Sequence, residues 1–76
     1  MFQEHSQVVL TRHLPKLDLE SGDVGVVVHV HGEGKAYEVE FMTLDGHTIG
    51  VETLDADHLR AASGSAVPHE RARVSA

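Results

Sequence analysis

Along residues 36–42, AYEVEFM, apolar and polar side chains alternate: Tyr37, Val39 and Phe41 fall on one side, Glu38, Glu40 and Met42 on the other. Successive side chains of an extended strand point to opposite faces, so this segment reads as a half-buried β-strand with Tyr37, Val39 and Phe41 inward. The preceding run, VGVVVHVH at 24–31, has valine at every even position and Gly25, Val27, His29 and His31 at the odd ones. The same alternation predicts the even valines inward and both histidines outward. Between the two segments lies GEGK, whose glycines supply the positive φ angles of a short hairpin loop. Pairing Val30 with Tyr37, Val28 with Val39 and Val26 with Phe41 sets apolar residues against apolar residues. A slip of one residue would bury both glutamates, which specifies the register.

The pattern continues into a third strand. LDG at 44–46 contains Asp-Gly, a strong hairpin-turn signal. In HTIGVETL the alternation places Ile49, Val51 and Thr53 on one face, with Phe41 opposite Ile49 and Val39 opposite Val51. That leaves a three-residue loop with Gly46 left-handed. Upstream, QVVLTR at 7–12 is β-branched and short and reads as a first strand. HLPKLDLESGD at 13–23 is a connecting loop, with Leu14, Leu17 and Leu19 available to close one end of a core. In DADHLR at 55–60, Asp55 is placed to cap a single helical turn that leads into a last short strand near Leu59 and Arg60.

Five short strands, a long first loop, a three-strand meander and one short helical turn make the plan of an all-β fold, a small SH3-like five-stranded barrel. Closure of such a barrel removes exposed strand edges. The predicted organisation is a barrel domain over residues 1–60 and a flexible C-terminal tail over 61–76, where AASGSAVPHERARVSA is small, polar and rich in Pro, Gly and Ser.

Composition narrows the function. Seventy-six residues without a cysteine allow one domain, no disulfide framework and no thiolate metal site. The formal net charge is −6. Residues 1–60 hold four basic side chains (Arg12, Lys16, Lys35, Arg60) against eleven acidic ones. Such a domain repels phosphates, so no nucleic-acid partner is expected, whereas a basic protein partner is. The longest apolar run, Val24 to Val30, is interrupted by Gly25 and His29 and falls far short of the ~20 residues of a membrane span. MFQEHSQ has neither the basic region nor the apolar core of a signal peptide. A cytoplasmic protein without membrane association, monomeric or weakly self-associating, is the expectation.

The segment from VVLT through AYEVEF to VETLDADHLR resembles the bacterial family known as domain of unknown function 4926. The resemblance is carried by Gly22-Asp23-Val24-Gly25 and by Ala36-Tyr37-Glu38-Val39-Glu40-Phe41, and it spans residues 8–60. It implies a fold and no biochemistry. Gly-Asp-x-Gly-x-Val followed by Tyr-x-Val-x-Phe is also similar to the barrel of the nitrile hydratase β subunit and to KOW-type barrels, in both cases as a structural motif. Small barrels of this kind look like the antitoxin or immunity partner in some two-gene arrangements.

Three groups of residues carry candidate chemistry. His29 and His31 share a strand face at a spacing that lets two imidazoles hold one Zn²⁺ or Cu²⁺, with Glu38 as a third ligand. Against this stands a solvated strand face with ordinary cross-strand His–Glu pairs. GEGK is not a phosphate loop: one residue separates its glycines, and alanine follows the lysine. No serine stands in a nucleophile-elbow context, so no catalytic residue is assigned and the chain is not expected to be an enzyme. The outward residues Glu38, Glu40, Met42 and Glu52, with Asp55 and Asp57, make an acidic surface with an apolar spot. The function expected is a small acidic protein-binding module, in sharper form an antitoxin or immunity-type inhibitor of one cognate partner, with no cofactor. The alternative is a His-based metal-binding protein or an accessory subunit of a metalloenzyme. Asp23 reads as turn chemistry, and Tyr37 as core.

Overall fold

A computed structural model describes residues 1–73. Five antiparallel strands form one sheet: β1 (Gln7–Leu10), β2 (Val24–His31), β3 (Ala36–Met42), β4 (Thr48–Leu54) and β5 (Leu59–Ala61). Their order across the sheet is β4-β3-β2-β1-β5. Two short 3₁₀ turns, Pro15–Leu17 and Ala56–His58, complete the regular structure. The fold class is all-β, as the alternation predicts, with a last strand at Leu59. The closed barrel is not formed. β4 pairs only with β3, and β5 only with β1, so the sheet is open. Closure needs a hydrogen-bonded partner on both sides of every strand. Here the first loop covers one end instead: Leu19 is buried and Leu14 and Leu17 pack against the core. The Asp55 side chain makes no capping hydrogen bond, so the turn after β4 is held by the backbone bond from His58 N–H to Asp55 O (3.0 Å).

The core joins Val8, Leu10, Leu19, Val27, Tyr37, Val39, Phe41, Leu54 and Leu59. Its β3 members are the three predicted. Its β2 member is not. The β2–β3 pairing runs His31↔Ala36, Val30↔Tyr37 and His29↔Glu38, then shifts to Val27↔Val39 and Val26↔Glu40. Val28 is therefore the extra residue of a β-bulge. The bulge switches the parity of the strand, so Val30 on one side of it and Val27 on the other both pack inward. Val24 is left about half exposed (49%), and Val26 and Val28 only partly covered. Gly25, which takes the inward position in place of a valine, lies close beneath Val39 and Phe41.

The β3–β4 register also differs from the expectation. Tyr37 pairs with Leu54, Val39 with Glu52, Glu40 with Val51 and Phe41 with Gly50, with a shift before Met42↔Thr48. Ile49, the extra residue of that shift, packs against the core as expected; beyond it the inward positions of β4 are Gly50, Glu52 and Leu54, and Val51 and Thr53 turn out to solvent. Packing decides this: Leu17 from the first loop sits over Gly50, which has no side chain to obstruct it, and Lys16 reaches Glu52 (3.1 Å). The turn itself agrees with the prediction. Thr43 N–H donates to His47 O (2.8 Å) across a three-residue loop, and Gly46 has φ 90°.

Both ends of the chain return to the sheet. Phe2 packs edge-on against Tyr37 (ring centroids 5.1 Å), and its N–H donates to the tyrosine hydroxyl (3.2 Å). At the other end, Arg71 donates to both carboxylate oxygens of Asp23, through Nε at 3.1 Å and also through Nη2. Within 61–76, Ala61 belongs to β5, Arg71 and Arg73 contact the first loop, and the last three residues lie outside the described ones. Asp23 also accepts the Glu20 N–H (2.8 Å), which makes it the turn residue expected ahead of β2. Partial burial alone would raise the Asp23 carboxyl pKa. The Arg71 and Glu20 hydrogen bonds and the charges of Arg71 and Arg73 outweigh that and hold it below its ordinary 3.8. A folded pKa below the unfolded one stabilises the fold above the unfolded value, and that stabilisation fades as pH falls through the lower folded value. Asp23→Asn is therefore expected to lower the melting temperature by a few degrees at pH 7. The gap to wild type should close as thermal melts are taken below pH 3.8.

Candidate functional site

One face of β2, β3 and β4 covers the core, and the other faces solvent. The outer face carries His29, His31, Glu38, Glu40, Met42, Val51 and Thr53, with Val24 and Val26 toward one end. His29 lies opposite Glu38, as the alternation predicts. The closest polar contact is two residues further along β2: His31 Nε2 lies 3.1 Å from Glu38 Oε2. The two imidazoles meet edge to face, with centroids 4.5 Å apart and planes at 75°. Ligand atoms of His29, His31 and Glu38 all lie within 4.8 Å of one another. Among the described residues no other trio of His, Cys, Asp or Glu converges in this way.

A fourth residue reaches this cluster from the N-terminal segment. Glu4 Oε2 lies 3.8 Å from His29 Nδ1, within ion-pair range and beyond a hydrogen bond. Backbone bonds bring it there. His5 N–H donates to Val27 O (2.6 Å) and Val27 N–H to Ser6 O (3.0 Å), just before the bulge, with His5 itself at φ 70°. Sequence reasoning did not place Glu4 beside His29, because the turn that carries it has no glycine or proline to mark it.

The partner-binding residues divide between the two faces. Glu38, Glu40 and Met42 share the outer face, where Glu40 accepts a hydrogen bond from the Thr48 hydroxyl (2.6 Å) and Met42 is 46% exposed. Glu52 does not join them. It points to the inner side of β4, is largely covered, and pairs with Lys16. Val51 takes the outer position instead and is 48% exposed beside Glu40. The outer face is thus acidic with a larger apolar component than the sequence pattern indicated. Asp55 and Asp57 lie beyond the end of β4. A surface concavity of about 950 Å³ opens between the Glu20–Val24 turn, the end of β3 and the C-terminal segment, and Val24 and Met42 of the outer face line it together with Arg71.

The GEGK stretch is a hairpin loop. Gly32, Glu33 and Gly34 all have positive φ, and the N–H groups of Gly34 and Lys35 both donate back to His31 O. No polar or charged side chain is buried in the core among the described residues, and among them no helix is long and apolar enough to cross a membrane.

An open five-stranded antiparallel sheet with an acidic, partly apolar outer face defines a small all-β domain. Its sequence places it further: residues 4–61 match the model of Domain of unknown function (DUF4926), and the chain belongs to that family. No curated protein and no solved structure matches it.

Proposed function

We propose that this domain is a non-enzymatic protein-binding module that docks one basic partner on the outer face of β2, β3 and β4. The observation that carries this is the composition of that face. Val24, Met42 and Val51, each about half exposed, stand on the same side of the sheet as Glu38 and Glu40. Apolar side chains that a partner can desolvate supply affinity, and carboxylates around them select a basic surface and speed its approach. The formal net charge of −6 favours the same class of partner over nucleic acid or an anionic membrane. In its sharper form the module is an antitoxin or immunity-type inhibitor, whose carboxylates cover the anion-binding surface of a toxin or nuclease.

The test is capture from the native host with wild-type protein and a Glu40→Lys/Met42→Asp variant side by side. These two substitutions leave His29, His31 and Glu38 intact and fall on the outer face, at a partly covered position (Glu40) and a half-exposed one (Met42), so folding checked by circular dichroism should be unchanged. A single basic protein, held by the wild type and released at least tenfold more readily by the variant, is the expected result. Equal retention by both proteins would remove the outer face from the account.

A further inference from the structure

We propose that His29, His31 and Glu38 bind one divalent transition-metal ion, with Zn²⁺ the best match, and that Glu4 positions His29 for it. The argument begins with distances. Tetrahedral zinc with N and O ligands at about 2.0–2.2 Å separates its donors by roughly 3.3 Å. His31 Nε2 and Glu38 Oε2 already stand 3.1 Å apart, and the whole trio lies within 4.8 Å. Side-chain rotations alone close that difference, because all three residues are at least partly exposed and none is locked by core packing.

The backbone is arranged for the same end. His29 and His31 are two residues apart on one strand, and Glu38 lies across the hairpin on the neighbouring strand. The bulge at Val28 sits directly before His29, and bulges re-aim the side chain that follows them. Glu4 stands on the Nδ1 side of His29, which leaves Nε2 for the ion. From 3.8 Å a small side-chain rotation would bring that carboxylate into hydrogen-bond range of Nδ1, the usual support of a metal-bound imidazole, because such a bond fixes the tautomer and the ring orientation.

The donor chemistry selects the ion. Two imidazoles and one carboxylate, with no thiolate, suit Zn²⁺, Cu²⁺ or Ni²⁺. Mg²⁺ and Ca²⁺ take oxygen ligands and find only one carboxylate here. Glu4 and Glu38 beside the imidazoles add an attractive field for any cation, so coordination has to be separated from simple ion atmosphere. Three protein donors leave a fourth position open toward solvent.

The experiment uses tag-free protein, stripped with chelator and titrated with zinc sulfate by calorimetry, with the histidine ring signals followed by NMR. One ion per chain is expected, with the His29 and His31 rings the ones that shift. His29→Ala and His31→Ala should each weaken binding at least tenfold, Glu4→Gln should weaken it less, and His47→Ala, on the β3–β4 loop, should leave it unchanged. Magnesium chloride should give no comparable heat. Since both histidines are about half exposed, the variants should fold, and circular dichroism without metal checks this. Absence of saturable zinc binding would overturn the proposal. So would zinc binding that persists in the His29→Ala/His31→Ala double variant, or a magnesium response equal to that of zinc.

Discussion

Replacing Gly25 with alanine is expected to lower the melting temperature by roughly 5–20 °C, the range that corresponds to 1–3 kcal/mol of overpacking in a domain of this size. A Cβ at this position would stand 2.6 Å from Val39 Cγ1, 2.8 Å from Phe41 Cε1 and 3.0 Å from the Glu40 carbonyl oxygen. Val39 and Phe41 are buried in the core, and the carbonyl belongs to the neighbouring strand, so no side-chain rotation relieves all three contacts. Gly25→Val should prevent folding altogether. Gly50→Ala makes an instructive contrast, because the three atoms nearest its new methyl all belong to the Leu17 side chain, the first at 2.9 Å, and a loop leucine can move. Gly64→Ala, with nothing within 4 Å, is the neutral reference. Thermal melts of these proteins would show the order Gly25→Val, Gly25→Ala, Gly50→Ala, Gly64→Ala from most to least damaging. Equal melting temperatures for Gly25→Ala and Gly64→Ala would mean that Gly25 does not lie beneath Val39 and Phe41.

The second large effect separates two neighbours on β2. Val27 is fully buried against Val39, and Val28 is the bulged residue. Val27→Asp places an unpaired carboxylate in the core, at a cost of at least about 3 kcal/mol. With the roughly 2 kcal/mol of lost valine burial added, the total reaches the ~5 kcal/mol a small domain has to lose, so at least about half of the variant should be unfolded at 25 °C. Val28→Asp, with its side chain partly in water, should cost about 1 kcal/mol and fold normally. An unbulged strand with the even valines inward would reverse the outcome, with Val28→Asp unfolded and Val27→Asp tolerated. Urea denaturation of the two variants therefore reports the bulge as well as the stability.

These two residues also mark where the sequence pattern stops being readable. On β3 only one parity is apolar through Tyr37, Val39 and Phe41, so its inward face is legible from the sequence alone. On β2, Val26, Val27 and Val28 stand in succession. Either parity then presents a valine, and alternation cannot choose. The choice is made by tertiary contacts: Gly25 admits Val39 and Phe41, and the bulge restores Val30 to the inner face. β4 is misread for a related reason. Val51 is the stronger hydrophobe, but Gly50 takes the inward position because Leu17 from the first loop fills the space above it. A glycine carries no hydropathy signal of its own.

The candidate site follows the same division. His29 opposite Glu38 was legible, because the hairpin end of the β2–β3 pairing agrees with alternation. Alternation puts Glu52 on the outer face, in the register that Gly50 overturns, and its pairing with Lys16 depends on the first loop. Glu4 was invisible, since the turn at His5 is set by hydrogen bonds to Val27 that no local pattern announces. The Asp23–Arg71 pair lies 48 residues apart in sequence and is a matter of tertiary arrangement alone.

The outer face of β2, β3 and β4 is the surface on which both functional readings stand, and site-specific photo-crosslinking in the native host tests its role in docking most directly. A photoreactive amino acid would replace Val51 or Met42, each about half exposed on that face, and in a third protein Lys16, exposed on the opposite side beside Glu52. A single discrete adduct from positions 51 and 42, absent from position 16, is the predicted result. An adduct from position 16 with none from 51 or 42, or no adduct from any of the three, would contradict it.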